Sequence, residues 1–189
     1  MGAIAALALL VAACVTPEPT PTPASTPQPT ATATVDPERF TDFTLPAAGG
    51  GAVTFSELRG NVPLVVVFYR GYFCSICRIQ IRELQAIYPQ FQALGAEIVA
   101  ISTDVQAEAE ELVNTLEVEF PVLYDTDEAV SRAWRVFNLN SDGIAAPATF
   151  VFDASGDLIA QRIGSDAGDR PTAAETLEVI RQSLGGGVA

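Results

Sequence analysis

From about residue 40 onward the apolar positions follow two rhythms. Short, nearly continuous runs rich in β-branched and aromatic residues read as buried strands, and apolar residues three or four apart read as helices packed on one side. Phe43-Thr-Leu45 and Val53-Thr-Phe55, parted by a stretch with three glycines, predict a short hairpin. Ser56 to Gly60 then turns the chain into a central strand over 63–69. A helix opens at Cys74, with Ile76, Ile81, Leu84, Ile87, Tyr88 and Phe91 directed inward and Pro89 kinking or ending it. A second strand is expected over 96–102. Thr103-Asp-Val-Gln106 has the form of a capping box, opening a helix to about Leu116. A third strand covers 120–124, and Asp125 to Glu128 cap a helix reaching Phe137. Ala148–Phe152 and Leu158–Ile163 flank Asp153-Ala-Ser-Gly156 as an antiparallel hairpin. Pro171 starts a last helix that ends at Leu184. This order predicts an α/β fold: a mixed central sheet flanked by helices, with an N-terminal β-hairpin extension.

The first 38 residues lack either rhythm. Ala3 to Ala13 is an uninterrupted apolar run, far short of the ~20 residues of a membrane-spanning helix. It ends in Val11-Ala12-Ala13 directly before Cys14, which resembles the lipobox of bacterial lipoproteins. That resemblance implies lipidation of Cys14 and attachment to the membrane through the lipid alone. Residues 15–37 are almost all Pro, Thr, Ala and Ser, too poor in apolar surface to fold and stiffened toward polyproline II. At ~3.1 Å per residue, 20 such residues reach up to about 60 Å. The expected organisation is a signal peptide over 1–13, a linker over 14–38, a folded domain over 39–185 and a tail over 186–189. An anchor followed by a stalk places the domain outside the cytoplasmic membrane, lipid-anchored to the bacterial cell, where a mobile dithiol meets an oxidising environment.

Net charge is −13, with ten arginines as the only basic side chains and no histidine. Ser–His and Cys–His dyads, histidine metal sites and lysine Schiff bases are therefore excluded. An acidic chain repels nucleic acid, so none is expected as a partner. Chemistry falls to the cysteines, of which there are three: Cys14, Cys74 and Cys77. A thiol pair at i and i+3 on a helix's first turn meets free backbone N–H groups and the positive end of the helix dipole, both favouring thiolate. A zinc half-site would need two further ligands, and none remain once Cys14 is lipidated. A purely structural disulfide across so small a loop contributes little stability. Redox chemistry is the reading left, with no metal or cofactor required. Trp134 and Phe137 read as core, Asp104 and Asp127 as helix caps, and Tyr72 and Phe73 equally as packing or as a recognition surface.

Three stretches carry a resemblance. CxxC after the first central strand, with Ala146-Pro147-Ala-Thr-Phe-Val-Phe-Asp153 later, resembles the thioredoxin fold and its cis-proline loop. Gly95 to Ser102, Phe120 to Asp125 and Ala133-Trp134 are similar to the alkyl hydroperoxide reductase/thiol-specific antioxidant family, peroxiredoxin-like in type. Peroxiredoxins of that kind place Pro, Thr and the peroxide-reducing Cys as PxxxTxxC, with an arginine on a later strand. Here Arg70, Cys74 and Cys77 occupy those three positions, and Pro147 stands where the later arginine would. The resemblance thus implies a thioredoxin-like dithiol: Cys74 attacks a disulfide, Cys77 resolves it, and Pro147 positions the substrate. Arg70 and Arg78, near the thiols in the chain, are expected to stabilise the thiolate. The thioredoxins that serve cytochrome maturation as lipoproteins carry a glutamate three residues after the second cysteine, where this chain has Gln80; Glu83 is a substitute proton relay. Expected partners are protein or small-molecule disulfides and an upstream thiol donor. The alternatives are a thiol peroxidase acting on hydroperoxides through Cys77, and a non-catalytic binding module gated by redox state.

Overall fold

The computed structural model describes residues 40–185, so the signal peptide, the whole linker with Cys14, and the four-residue tail lie outside the described residues. Within them a five-stranded sheet has the order β5-β4-β3-β6-β7. Its strands are β3 (Leu64–Phe68), β4 (Glu97–Ser102), β5 (Val122–Tyr124), β6 (Ala148–Phe152) and β7 (Leu158–Ile163). β3, β4 and β5 run parallel, while β6 and β7 are antiparallel to their neighbours. A separate hairpin, β1 (Thr44–Pro46) and β2 (Ala52–Thr54), precedes them and reaches the β5 edge, where Ala48 N–H donates to Val122 O at 2.8 Å. This is the expected mixed sheet with its hairpin extension, in the thioredoxin fold.

β3 is apolar throughout because both of its faces are covered. Val65, Val67 and Tyr69 face one layer, formed largely by α2 (Ser75–Ala93), α3 (Gln106–Leu116) and α5 (Ala173–Gly185). Leu64, Val66 and Phe68 face the other, where α1 (Phe55–Leu58), α4 (Ala129–Ala133) and the hairpin pack. That second layer is aromatic: Trp134 is fully buried and meets the rings of Phe40, Phe55, Phe68 and Phe150 within 5.5 Å.

Three expectations are corrected. Pro89 neither ends nor shortens α2, which runs on to Ala93; the proline ring lies on the exposed side while Leu84, Tyr88 and Phe91 hold both flanking turns in the core. Ile76 points outward, 44% exposed. The helix expected to reach Phe137 is the short α4, because Arg135 and Asn138 adopt positive φ and turn the chain away.

Candidate functional site

The buried strand β3 delivers the chain to the end of the sheet, where Tyr69 N–H donates to Ile101 O and the backbone then leaves the sheet. Gly71 makes the turn possible. Its φ is +138°, and a Cβ there would stand 2.5 Å from Asp104 Oδ1. Cys74 is the N-cap of α2, and its Sγ accepts a hydrogen bond from Cys77 N–H at 3.3 Å. Cys77 follows on the first turn, fully buried, against 7% exposure for Cys74. The two sulfurs form a disulfide with Cα atoms 5.2 Å apart.

The expected helpers take other positions. Arg70 Nη2 pairs with Asp142 Oδ2 at 2.9 Å, and its guanidinium lies over the Phe73 ring. Arg78 lies over Tyr72, 5.2 Å from the ring centroid. Both are thus held by aromatic faces or a carboxylate, not by either sulfur. Pro147 is buried at the same end of the sheet, since its neighbour Ala148 pairs with Phe68, and its carbonyl accepts from Gly164 N–H. No peptide bond among the described residues is cis, so the expected cis bond before Pro147 is corrected to trans. Glu83 lies exposed on α2.

Arg170 is the residue that sequence reasoning missed. Its Nη2 donates to Cys77 Sγ at 3.7 Å and to the Ala167 carbonyl, while Nη1 donates to Gln80 Oε1 at 2.9 Å. The arginine is aimed by a self-bonded turn. Asp166 Oδ1 accepts from Gly168 N–H at 2.7 Å, and Asp169 accepts from Ser165 N–H and Arg162, which hold its carboxyl down at about 2. Directly after it, Thr172 and Glu175 exchange hydrogen bonds as a capping box, Glu175 N–H to Thr172 Oγ1 and Thr172 N–H to Glu175 Oε2, fixing the start of α5. Burial, and then the Arg70 charge, lower the Arg170 pKa from its ordinary value; a guanidinium stays charged nonetheless. The Nε atoms of Arg70 and Arg170 are both buried without a hydrogen-bond partner. Ninety-three residues separate Arg170 from Cys77. A lone arginine before a proline in a polar loop carries no periodic signal, so only the fold could reveal it.

Asp104 is the second surprise. It was expected to cap α3, yet the N-cap is Val105, whose N–H donates to Glu108. The Asp104 carboxylate turns inward instead, 6% exposed, accepting from Tyr72 N–H at 2.9 Å and Ser102 Oγ at 3.0 Å. It therefore ties the end of β4 to the turn that carries Cys74. Burial raises its pKa, the Ser102 and Tyr72 hydrogen bonds opposing, and burial likewise pushes the neighbouring Tyr69 phenol well up. The folded chain thus holds the Asp104 proton more tightly than the unfolded chain does. Stability from this group is greatest below the ordinary carboxylate pKa of ~3.9 and declines as pH rises toward the raised folded value. Asp104→Asn removes that slope. Its stability relative to the parent is expected to improve from pH 4 to pH 7 in urea titrations; a constant difference would show that burial does not penalise the carboxylate.

A buried, disulfide-bonded cysteine pair at a helix N-terminus, behind the end of a central β-strand in a thioredoxin fold, defines an oxidoreductase. The chain belongs to the AhpC/TSA family, whose family model matches residues 37–161. It is 28% identical over 142 residues to alkyl hydroperoxide reductase C of Amphibacillus xylanus, covering 70% of this chain and 74% of that one. Among solved structures, AhpC of Enterococcus faecalis superposes with a TM-score of 0.68 at 23% identity, covering 76% of this chain and 89% of that one. Peroxidoxin BcpB of Mycobacterium tuberculosis gives 0.66 at 22% identity, over 75% and 92%.

Proposed function

We propose that the protein is a peroxiredoxin-type thiol peroxidase in which Cys77 reduces the hydroperoxide and Cys74 resolves it. The observation that carries this reading is the Arg170 guanidinium on Cys77 Sγ. A cation within hydrogen-bond reach favours thiolate over thiol, and Cys77 also sits on the first turn of a 19-residue helix. Cys77 thiolate attacks the terminal oxygen of the hydroperoxide and the O–O bond breaks. Sulfenic acid is left on Cys77, and the departing alkoxide takes up a proton. Cys74 thiolate then displaces hydroxide from the sulfenic acid to form the disulfide, and two electrons from a thiol donor restore both thiols. The unpartnered Nε donors of Arg70 and Arg170 suit the developing oxygen charge. The cysteines already span the disulfide across the first turn, so resolution needs no distant partner.

A second reading rests on Cys74, the more exposed sulfur. Phe73, Ile76 and Ile79, next to it in the chain, are 63%, 44% and 50% exposed, an apolar rim on which a protein disulfide can rest. In that case the protein exchanges disulfides through Cys74, and Cys77 resolves. Stopped-flow reaction of the reduced domain with hydrogen peroxide, beside Cys74→Ser and Cys77→Ser, separates the two. The peroxidase reading expects sulfenate in Cys74→Ser, formed far faster than on a free thiol, and none in Cys77→Ser. Ordinary thiol rates with peroxide, alongside rapid reduction of a model disulfide through Cys74, would leave the exchange reading in its place.

The enzyme is further proposed to act outside the cytoplasm, tethered by lipid on Cys14 and held off the surface by the proline-rich stalk. Support comes from the apolar run that ends at Ala13 and from the composition of residues 15–37. The mass of the mature N-terminal peptide tests it, an unmodified Cys14 overturning the anchor.

A further inference from the structure

Arg70 leaves the end of β3 just before the turn that carries Cys74, and its guanidinium lies 5.6 Å from the centroid of the Phe73 ring. Its charge weighs on Arg170, whose Nη2 is on Cys77 Sγ, so the cation belongs to the same end of the sheet as the two sulfurs. Asp142 meets it from the loop between α4 and β6, seventy-two residues away. That loop holds its shape through its own bonds. Asn138 N–H donates to Ile144 O, and Gly143 N–H donates to Asn138 Oδ1 at 2.8 Å. Ser141 and Gly143, on either side of Asp142, have φ of +58° and +75°. The carboxylate is so turned onto Arg70 Nη2 at 2.9 Å.

This pair contributes little to holding the fold. Arginine and carboxylate join most strongly through two parallel bonds, and here there is one. The two side chains are 24% and 23% exposed, so water competes for both. Arg70 Nε, moreover, is buried without a partner, leaving the guanidinium a donor that Asp142 does not use. What the pair does display is the chemistry that Arg70 accepts, because a carboxylate already sits on it. The Phe73 ring beneath, 63% exposed, offers apolar surface to the carbon skeleton behind such a carboxylate. Neighbouring charges are engaged elsewhere: Asp104 accepts from Tyr72 N–H and Ser102 Oγ, and Arg78 is stacked on Tyr72.

We propose that Arg70 is a carboxylate-binding residue beside the dithiol, with Asp142 as its internal occupant. An incoming organic carboxylate displaces Asp142 and lies against Phe73, next to Cys74. In the peroxidase reading, on which this rests, the preferred substrates are organic hydroperoxides that carry a carboxylate.

The test uses alkylation, which proceeds on any thiolate, so the site and peroxide reduction succeed or fail separately. In a Cys77→Ser background, two matched pairs of reagents are compared at Cys74: iodoacetate with iodoacetamide, and 3-maleimidopropionate with its amide. They place a carboxylate at two distances from the attacked carbon. The ratio of the charged to the neutral rate cancels changes in thiol pKa and exposure. Mass spectrometry of the peptide carrying Cys74 gives the rates, and Trp134 fluorescence confirms that each variant is folded. Arg70→Met is expected to lower the ratio about threefold or more for at least one pair, and Asp142→Asn to raise it by a similar factor, the order expected for one charge gained or lost a few ångströms from a reacting anion. With Arg70→Met already in place, Asp142→Asn is expected to add nothing. Arg78→Met is expected to change the ratio less than Arg70→Met does. Ratios unchanged for both pairs in either single variant overturn the proposal. So does an equal fall in Arg78→Met, or an Asp142→Asn gain that persists without Arg70, since the general field of the protein would then set the preference.

Discussion

Trp134→Ala is expected to lower the free energy of unfolding by about 3–5 kcal/mol, the range for deleting a large aromatic from a packed core. The indole is wholly buried, and its ring neighbours come from four separate parts of the chain: Phe40 and Phe43 just before the hairpin, Phe55 on α1, Phe68 on β3, and Phe150 and Phe152 on β6. Its Nε1–H also donates to Thr41 O at 3.2 Å, tying the start of the domain to the sheet. Truncation therefore leaves a cavity that rigid edge-to-face rings cannot collapse into, and a carbonyl without its donor. Urea unfolding followed by far-ultraviolet circular dichroism measures the loss. The layer lies across the sheet from the disulfide, so the reduction rate of Cys74–Cys77 by dithiothreitol is expected to stay near the parent value while the fold holds. A loss below about 1.5 kcal/mol would mean that this layer repacks, contrary to the interlocked arrangement of its rings.

Gly71→Ala is expected to cost roughly 2–5 kcal/mol, and here the site does feel it. Two effects act together. A φ of +138° is a region in which a side chain is strained by about 1–3 kcal/mol. The added Cβ would also meet Asp104 Oδ1 at 2.5 Å and the Phe73 ring at 3.0 Å. The carboxylate must then move from the Tyr72 N–H it binds, leaving a half-buried donor unpaired. Since this turn carries Cys74 to the helix cap, the disulfide is expected to become more accessible and to be reduced faster by dithiothreitol. A double-mutant cycle with Asp104→Ala separates the contributions: the steric part should vanish when the carboxylate is gone, so the two losses should sum to more than the double variant shows. Strict additivity would show that Gly71 and Asp104 do not press on each other.

These two positions were unequally legible in the chain. Trp134 could be placed in the core from its spacing with Phe137, although its partners could not be named. Gly71 stood in a recognisable turn, but the reason only glycine serves there lies at Asp104, 33 residues on. Asp104 itself read as a cap, because Asp before a helix-periodic segment usually is one; its inward turn depends on what β4 and the Arg70–Phe73 turn leave between them. Arg70 and Arg78 drew attention by nearness in sequence to the thiols, and nearness in sequence on a helix surface says little about which way a long side chain runs. Phe73, Tyr72 and Asp142 decide that here.

What the amino-acid sequence determined by itself is whatever local chemistry and periodicity encode. It set the order of strands and helices, the doubly buried central strand, the thiol pair on a first helical turn, and the absence of any histidine or lysine that could share its work. Tertiary structure alone decided which thiol receives the cation, through a loop that closes on itself after β7 and sends Arg170 back to Cys77. The physical reason is range. Hydrophobic pattern and capping act within a few residues, whereas a guanidinium stabilises a thiolate wherever the fold brings them within a few ångströms, and no spacing in the chain records that meeting.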